Sequence, residues 1–361
     1  MATTAELTGT MTGRDRLLAA ARGQAVDTTP VWYMRQAGRC LPEYRALRAD
    51  HPFMEVAHTP ELAVEATLMP VERFGVDGAV LFADIMLPLE GMGVPFRIEP
   101  KVGPVIDAPI RTRADVERIV VADANDATGY VMDALRLLQR ELGGRAAALG
   151  FSGAPFTLAC YLVEGHGSRE YPRAKALMYG DPATWHLLMA KLTEVVTRYL
   201  VAQIAAGADA VQLFDSWLGL LGTEAYGEFV QPYTAQIFAA LRGLAPTIHF
   251  STGTVHLLDR IAATGPDLVS VDWRLPLDEA WARLVPGQGL QGNLDPTLLL
   301  GGWEVTRRAG DEILRRAAGR PGHIFNLGHG ILPETDPGVL TELTAHVHGA
   351  ASRSPRRSDA V

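Results

Sequence analysis

Lysine is nearly missing from this 361-residue chain: Lys101, Lys175 and Lys191 are the only ones, and arginine carries almost all the positive charge. That bias reflects genomic base composition, not a function. Cysteine is scarce as well. Cys40 and Cys160 alone make neither a disulfide framework nor a metal site. They read as small buried hydrophobes, although each stands beside a candidate motif where a reactive thiol would also fit. No uninterrupted apolar run approaches the ~20 residues that cross a bilayer. Met1–Thr12 lacks both the basic cluster and the apolar core of a signal peptide, so the cytoplasm is the expected compartment. A formal net charge of −8 argues against nucleic acid and anionic membranes as partners. It does not exclude an acidic small molecule, because a local cluster decides that. The Gly-x-Gly-x-x-Gly turn of a dinucleotide site is also missing.

What is there is the composition of a soluble globular enzyme, 48% apolar and 20% charged. Met1–Thr10 and Ala351–Val361 are small and polar and read as loose tails around one unit spanning 11–350. Within it, short apolar runs alternate with longer helical patterns. The runs are Pro30–Met34, Ala79–Ala83, Ala146–Phe151, Ala210–Phe214, Thr247–Phe250, Leu268–Val271, Gly289–Gly292 and His323–Leu327. Most are continuous rather than alternating, as strands covered on both faces are. Helical spacing marks Pro60–Phe74, Asp181–Ala206 (with Asp181 as N-cap and Gly207 as stop), Thr223–Leu241 and Asp336–His348. Val94–Ile110, punctuated by five Pro and Gly residues, breaks the rhythm as a hairpin excursion. Eight strand–helix units predict a single (β/α)8 barrel, with a doubly wound open sheet as the alternative.

In a barrel, the residues just after each strand line the active face. Here they are Arg35 and Arg39, Asp84, Ser152, Asp215 and Ser216, Asp272, Asn293 and Asp295, and His329. They are polar and ionisable where the strands are not, which is the pattern of an enzyme. Arg35 and Arg39 flank the turn Gln36-Ala37-Gly38 directly after the first run. Two guanidiniums, each a rigid fork of donors, would clamp a carboxylate or phosphate there. Gly38 would let the turn close and bring backbone N–H groups to the same anion. The alternative is a pair of surface arginines. Asp84, between Phe82 and Ile85, is costly to bury without a partner. It is either a cap or ion-pair member, or a fixed negative charge aimed into the cavity. Tyr161 sits most of two turns into a helix opened by Pro155, where a tyrosine is more often a core packer than a ligand. Asp215 and Ser216 could cap the following helix. His329, between Gly328 and Gly330, is free to approach a ligand closely.

The blocks Arg35-Gln36-Ala37-Gly38-Arg39 with Leu41-Pro42-Glu43-Tyr44, Leu81-Phe82-Ala83-Asp84-Ile85, Gly150–Gly165, Val211–Trp217 and Asn326–Ile331 resemble the uroporphyrinogen decarboxylase family. The resemblance runs in order and spacing from Arg14 to His348. Ala83 replaces the family's usual serine, a change expected to leave the neighbouring carboxylate undisturbed. The resemblance implies cofactor-independent decarboxylation of the four acetates of uroporphyrinogen III to methyls, in a homodimer with facing clefts. It further implies that Arg35, Gln36, Ala37, Gly38 and Arg39 bind substrate, that Asp84 contacts pyrrole N–H groups and that Tyr161 hydrogen-bonds near it. Ser216 would contact substrate, and His329 would face a substrate side-chain carboxylate.

No Schiff-base lysine context, thiamine or flavin motif or convincing metal set is visible in the sequence, so the substrate must supply its own electron sink. Positive groups would then hold carboxylates (Arg35, Arg39, His329), and a fixed anion, Asp84, would stabilise a ring cation. The proton donor stays open among Arg35, a protonated Asp84 and an arginine-held water. Two rivals are the superfamily's zinc methyltransferases and a non-catalytic tetrapyrrole binder. Against the first, Ser251 stands where a cysteine ligand would follow His249, and His329 where a second cysteine would be. Against the second, a polycarboxylate carrier has no need of a buried negative charge.

Overall fold

The computed structural model describes residues 10–99 and 102–350, so the tails expected at the two termini lie outside it apart from Thr10. Its centre is a parallel sheet of seven strands: β1 Gly78–Val80, β4 Ala147–Gly153, β5 Ala210–Asp215, β6 Thr247–Ser251, β7 Leu268–Ser270, β8 Gly289–Gln291 and β9 His323–Ile324, hydrogen-bonded in that order. The remaining two strands, β2 Phe96–Glu99 and β3 Gly103–Ile106, form an antiparallel hairpin inside the expected excursion. Seven of the eight apolar runs therefore become strands of one curled sheet wrapped by helices, and the barrel architecture holds.

The eighth run, Pro30–Met34, is the exception. It is not a full strand but a single parallel bridge, Val31 to Phe325. Side chains intercept the donors that a ladder would use. Val31 N–H goes to Asp77 Oδ2 at 2.7 Å, Tyr33 N–H to Gln36 Oε1 at 3.0 Å and Met34 N–H to Asn326 Oδ1 at 3.1 Å. Pro30 has no N–H to give. The segment still joins the two edges of the sheet: Trp32 N–H reaches Phe325 O at 3.3 Å on the β9 side, and Asp77 N–H reaches Val31 O at 2.7 Å on the β1 side.

Closure converges on Asp77, which is buried. Besides Val31 N–H, its carboxylate accepts Arg16 Nη1–H at 2.6 Å and His348 Nε2–H at 2.8 Å. Arg16 is gripped from its other side by Asp27, through Nε at 2.7 Å and Nη2 at 2.8 Å. One carboxylate thus ties the first helix (Gly13–Ala21), the closing segment, β1 and the end of the last helix (Pro337–Gly349) together.

Inside the curl, Gln212 on β5 and Gln291 on β8 meet at 2.9 Å. These strands are not neighbours, so the contact crosses the interior. Gln291 also donates to Ser270 Oγ and accepts from Trp32 Nε1, each at 2.9 Å. The barrel interior is therefore partly polar, with Gln291 bonded on both its amide atoms.

Helix boundaries follow local chemistry. Pro60–Phe74 is observed as the spacing predicts, and Pro182–Ala205 starts at Asp181, whose side chain accepts from Thr184 N–H at 3.1 Å. Thr223–Leu241 is not one helix. It divides into Thr223–Phe229 and Gln231–Leu241 at Val230 (φ −132°), because Pro232 cannot donate and disfavours helical backbone just before it.

Replacing Asp77 by Ala strands the Val31 N–H and leaves Arg16 half-compensated. The expected loss is about 3 kcal/mol, as for other broken buried ion pairs, read by urea unfolding. A loss below about 1 kcal/mol would mean that the seam is held elsewhere.

Candidate active site

The turn after the closing segment is built around Arg35, whose backbone is left-handed (φ 61°). A non-glycine residue there is held against its preference by its surroundings. Gly38 was expected to let the turn close, and it does so by lacking a side chain, not by left-handed backbone: a Cβ there would sit 2.7 Å from Arg35 O. Gly330 faces the Arg35 side chain, with a virtual Cβ 2.4 Å from Arg35 Cδ. Only glycine lets the guanidinium stem lie across the His329 loop. Arg45 braces the turn by donating to Arg39 O at 2.8 Å and Cys40 O at 3.1 Å.

Arg35 and Arg39 are exposed, and among the described residues neither has a carboxylate within ion-pair distance. Nor does any described residue take a hydrogen bond from the N–H groups of Ala37, Gly38 or Arg39. Two unpaired guanidiniums and a run of free amides on one turn are the makings of an anion site. Gln36 does not belong to it through its side chain. Expected as a binding residue, it is fully buried, accepting from Tyr33 N–H and donating to Gly78 O at 2.9 Å. It holds the turn to β1.

Asp84 follows β1 by four residues. One carboxylate oxygen accepts Met86 N–H at 2.8 Å, a local turn that fixes the side chain. No described residue donates to the other oxygen. Desolvation dominates its acidity and pushes the carboxyl above the usual range; the Met86 bond and then Arg35 pull it down, and Glu90 adds repulsion. Part of Asp84 remains accessible, so this is a recessed cleft position and not a sealed one. Glu90 in turn is held by His58 Nε2 at 2.9 Å and by Tyr130 O–H at 2.7 Å.

Tyr161, seventh in the helix Pro155–Glu164, is buried edge-on against Tyr171 (5.9 Å between ring centres) and Trp217 (6.1 Å). Burial pushes its phenol upward, the polar groups of Tyr171 and Trp217 oppose that, and the Asp84 charge adds to it. Tyr161 thus packs in the core and also feels the cleft carboxylate. Ser216 directly follows β5 and is half-buried, its N–H bonded to Thr157 Oγ1 at 3.0 Å and its carbonyl to Thr252 Oγ1 at 3.2 Å.

His329 lies in the glycine-flanked turn, where Gly330 N–H donates to its Nδ1 at 2.7 Å. That bond leaves the ring proton on Nε2. Burial lowers its pKa to about 4, with Arg35 next in effect, then Asp272 in opposition and Arg274. Expected among the positive groups, His329 is instead a neutral donor, because burial disfavours the charged ring and the neighbouring Arg35 adds to that. Arg35 is therefore the hub, electrostatically linked to Asp84 on one side and His329 on the other.

Other residues after strands are placed elsewhere. Asp215 caps nothing and does not face the cleft. It is fully buried on the helix side of the sheet, accepting from Thr157 Oγ1 at 2.8 Å, with His249 Nε2 3.9 Å away. Ser216 is not a cap either, since Gly222 starts the next helix. Ser152 is buried and donates to Gly153 O at 2.9 Å, and Asp295 accepts from Thr297 N–H at 2.9 Å. Asn293 anchors the following loop through Asp272 O at 2.9 Å and Leu275 O at 2.7 Å. Cys40 and Cys160 are both buried, with thiols pushed up by burial, as small hydrophobes would be. Asn326, which locks the clamp segment to the His329 turn, was not singled out; the only signal for it was its place in the Asn-Leu-Gly-His block.

An α/β barrel whose open face carries unpaired arginines around a recessed carboxylate defines an enzyme for a polyanionic small molecule. The family model described as uroporphyrinogen decarboxylase (URO-D) matches residues 12–350, and the chain belongs to that family. Uroporphyrinogen decarboxylase of Roseiflexus sp. (strain RS-1) is 50% identical over 339 residues, 92% of this chain and 97% of the relative. That of Thermobifida fusca (strain YX) is 51% identical over 332 residues, 92% and 91% of the two chains. Among solved structures, a methyltransferase from Methanosarcina mazei superposes with a TM-score of 0.80 at 22% identity, covering 93% of this chain and 98% of its own. That likeness concerns the fold.

The protonation state of His329 is directly measurable. In a histidine-labelled NMR titration, the free protein should keep this ring in the neutral Nε2–H form down to about pH 4. A midpoint at or above the ordinary value of ~6.5 would show that neither burial nor Arg35 acts on it as described.

Proposed function

We propose that this protein decarboxylates the four acetate side chains of uroporphyrinogen III to methyls, giving coproporphyrinogen III, without a cofactor. The observation that carries the proposal is one recessed carboxylate, Asp84, beside the unpaired arginine turn, with a neutral histidine donor on the other side of Arg35, in a chain of this family. The unit spanning 11–350 acts as one catalytic domain, and the family resemblance adds a cytoplasmic homodimer. No helix among the described residues is long and apolar enough to cross a membrane.

Loss of CO2 from a pyrrole acetate requires a place for the bond electrons. Protonating the ring carbon next to the one that bears the acetate gives an iminium-like cation conjugated to the acetate's methylene, which accepts those electrons as an exocyclic double bond as CO2 leaves. A second proton on the resulting methylene completes the methyl, and loss of the first proton from the ring carbon restores the pyrrole. Arg35 and Arg39 hold substrate carboxylates, with the amides of Ala37 and Gly38 beside them. His329 donates Nε2–H to a side-chain carboxylate as a neutral partner. Ser216 contributes a hydroxyl at the end of β5. Asp84 faces the pyrrole N–H groups and the cation that forms. At ~4 Å and an effective dielectric of 20, the gross attraction is about 4 kcal/mol, realised where positive charge develops. Tyr161 donates beside it.

Anaerobic incubation with uroporphyrinogen III, then oxidation and chromatography, should show hepta- to tetracarboxylate porphyrins. An untouched octacarboxylate from folded protein would leave the tetrapyrrole binder or the methyltransferase. In the same assay Asp84→Asn should lose about 10^2–10^3-fold in turnover while still binding substrate; near-normal turnover would remove the central role of Asp84. Since Glu90 raises the Asp84 pKa, Glu90→Gln should move the acid limb of kcat/KM to lower pH. A limb that stays put would mean that Asp84 does not set it.

A further inference from the structure

Beside His329, across from Arg35, lies a third arginine that the mechanism has not used. Arg274 follows β7 on the open face of the barrel. Its guanidinium stacks over the Trp273 ring, 4.5 Å from the ring centre. Nη1 donates to Asp272 Oδ2 at 2.5 Å, and its own N–H to Asp272 Oδ1 at 2.9 Å. Asp272 also accepts Gly253 N–H at 2.6 Å, so that carboxylate is buried and shared among three donors. The side chain of Arg274, by contrast, is 50% exposed against 4% for Asp272. The pair therefore turns its negative end into the protein and its positive end outward. No other described residue takes a hydrogen bond from Arg274, which leaves one edge of the fork free.

The loop carrying it is seated against the His329 turn. A Cβ on Gly328 would lie 2.7 Å from Trp273 N and 3.0 Å from Asp272 Cα. The electrostatic influence of Asp272 and Arg274 reaches the His329 ring, as that of Arg35 does. His329 is thus flanked by two guanidiniums on separate loops. Stacking and the Asp272 bonds pre-organise Arg274, so little rotamer freedom is lost when a ligand arrives.

We propose that Arg274 binds a further side-chain carboxylate of the substrate, with its free guanidinium edge, on the side of His329 away from Arg35. The assignment rests on the decarboxylase reading and deepens it: recognition of the octacarboxylate extends to the loop after β7. The carboxylate belongs either to a propionate, present through every step, or to an acetate, consumed as the reaction proceeds.

The test compares wild type, Arg274→Gln and Arg274→Lys on uroporphyrinogen III and on a pentacarboxylate porphyrinogen. Loss of a charged hydrogen bond should raise KM about 10-fold or more in Arg274→Gln with kcat little changed. Lysine, which keeps the charge but not the fork, should recover part of the loss. An equal rise on both substrates assigns a propionate; a rise confined to the octacarboxylate assigns an acetate. Unchanged KM, or a fall in kcat alone, in a variant with wild-type melting temperature overturns the assignment and leaves the decarboxylase intact. If Arg274→Gln does not fold, Arg274→Lys decides: KM indistinguishable from wild type with both substrates overturns the assignment. A wild type that leaves the octacarboxylate untouched overturns the decarboxylase reading and this assignment with it.

Discussion

A curled parallel sheet must close, and here closure depends on one buried carboxylate. Asp77 takes a guanidinium, an imidazole and a backbone amide at once, and its own main chain bonds to the closing segment and to β4. A buried charge is costly unless it is met by donors; at Asp77 they come from three other parts of the chain. The cost of burial thus enforces a particular meeting of first helix, last helix, closing segment and β1. The closing segment in turn ends in the arginine turn, so the position of the clamp follows from the closure of the barrel.

Around the cleft the electrostatics are deliberately unbalanced. Elsewhere many of the described arginines are paired, as in Arg283–Asp259 or Arg316 with Asp278 and Glu312. Arg35 and Arg39 are not, and the one recessed carboxylate near them is fixed by a backbone amide and not by a salt bridge. Unpaired charges of both signs in one cleft are an unfavourable arrangement that a ligand carrying carboxylates and N–H donors relieves. The left-handed backbone of Arg35 points the same way, as local strain held at a functional turn.

The fold is shared with a methyltransferase, which shows how little the barrel itself says about chemistry. The chemistry rests on this chain's own side chains. His249 pairs with Leu213 in register and looks toward Phe238 on the helix side of the sheet, and Ser251 spends its hydroxyl on Thr254 at 2.7 Å. Neither is presented to the cleft as a metal ligand would be.

Much of this was legible from local patterns. Continuous apolar runs marked seven strands, Asp-Pro and Pro starts marked helix beginnings, and the arginine turn, Asp84 and His329 stood out as chemistry in places where strands end, with Tyr161 inside a helix. Periodicity, capping and turn preference are short-range, so a sequence carries them openly. What it did not carry was long-range competition for hydrogen bonds and charge. Whether Pro30–Met34 becomes a strand depends on Asp77, Gln36 and Asn326 reaching its amides first. Whether Gln36 binds substrate or β1, and whether Asp215 faces cleft or helix, depends on which side of the sheet each side chain leaves. The His329 pKa is lowered because its ring is withdrawn from water and because Arg35, nearly three hundred residues earlier, arrives beside it. The sequence by itself determined the elements and the kinds of groups available. The tertiary structure alone decided which of them meet, because desolvation and Coulomb forces act through space and not along the chain.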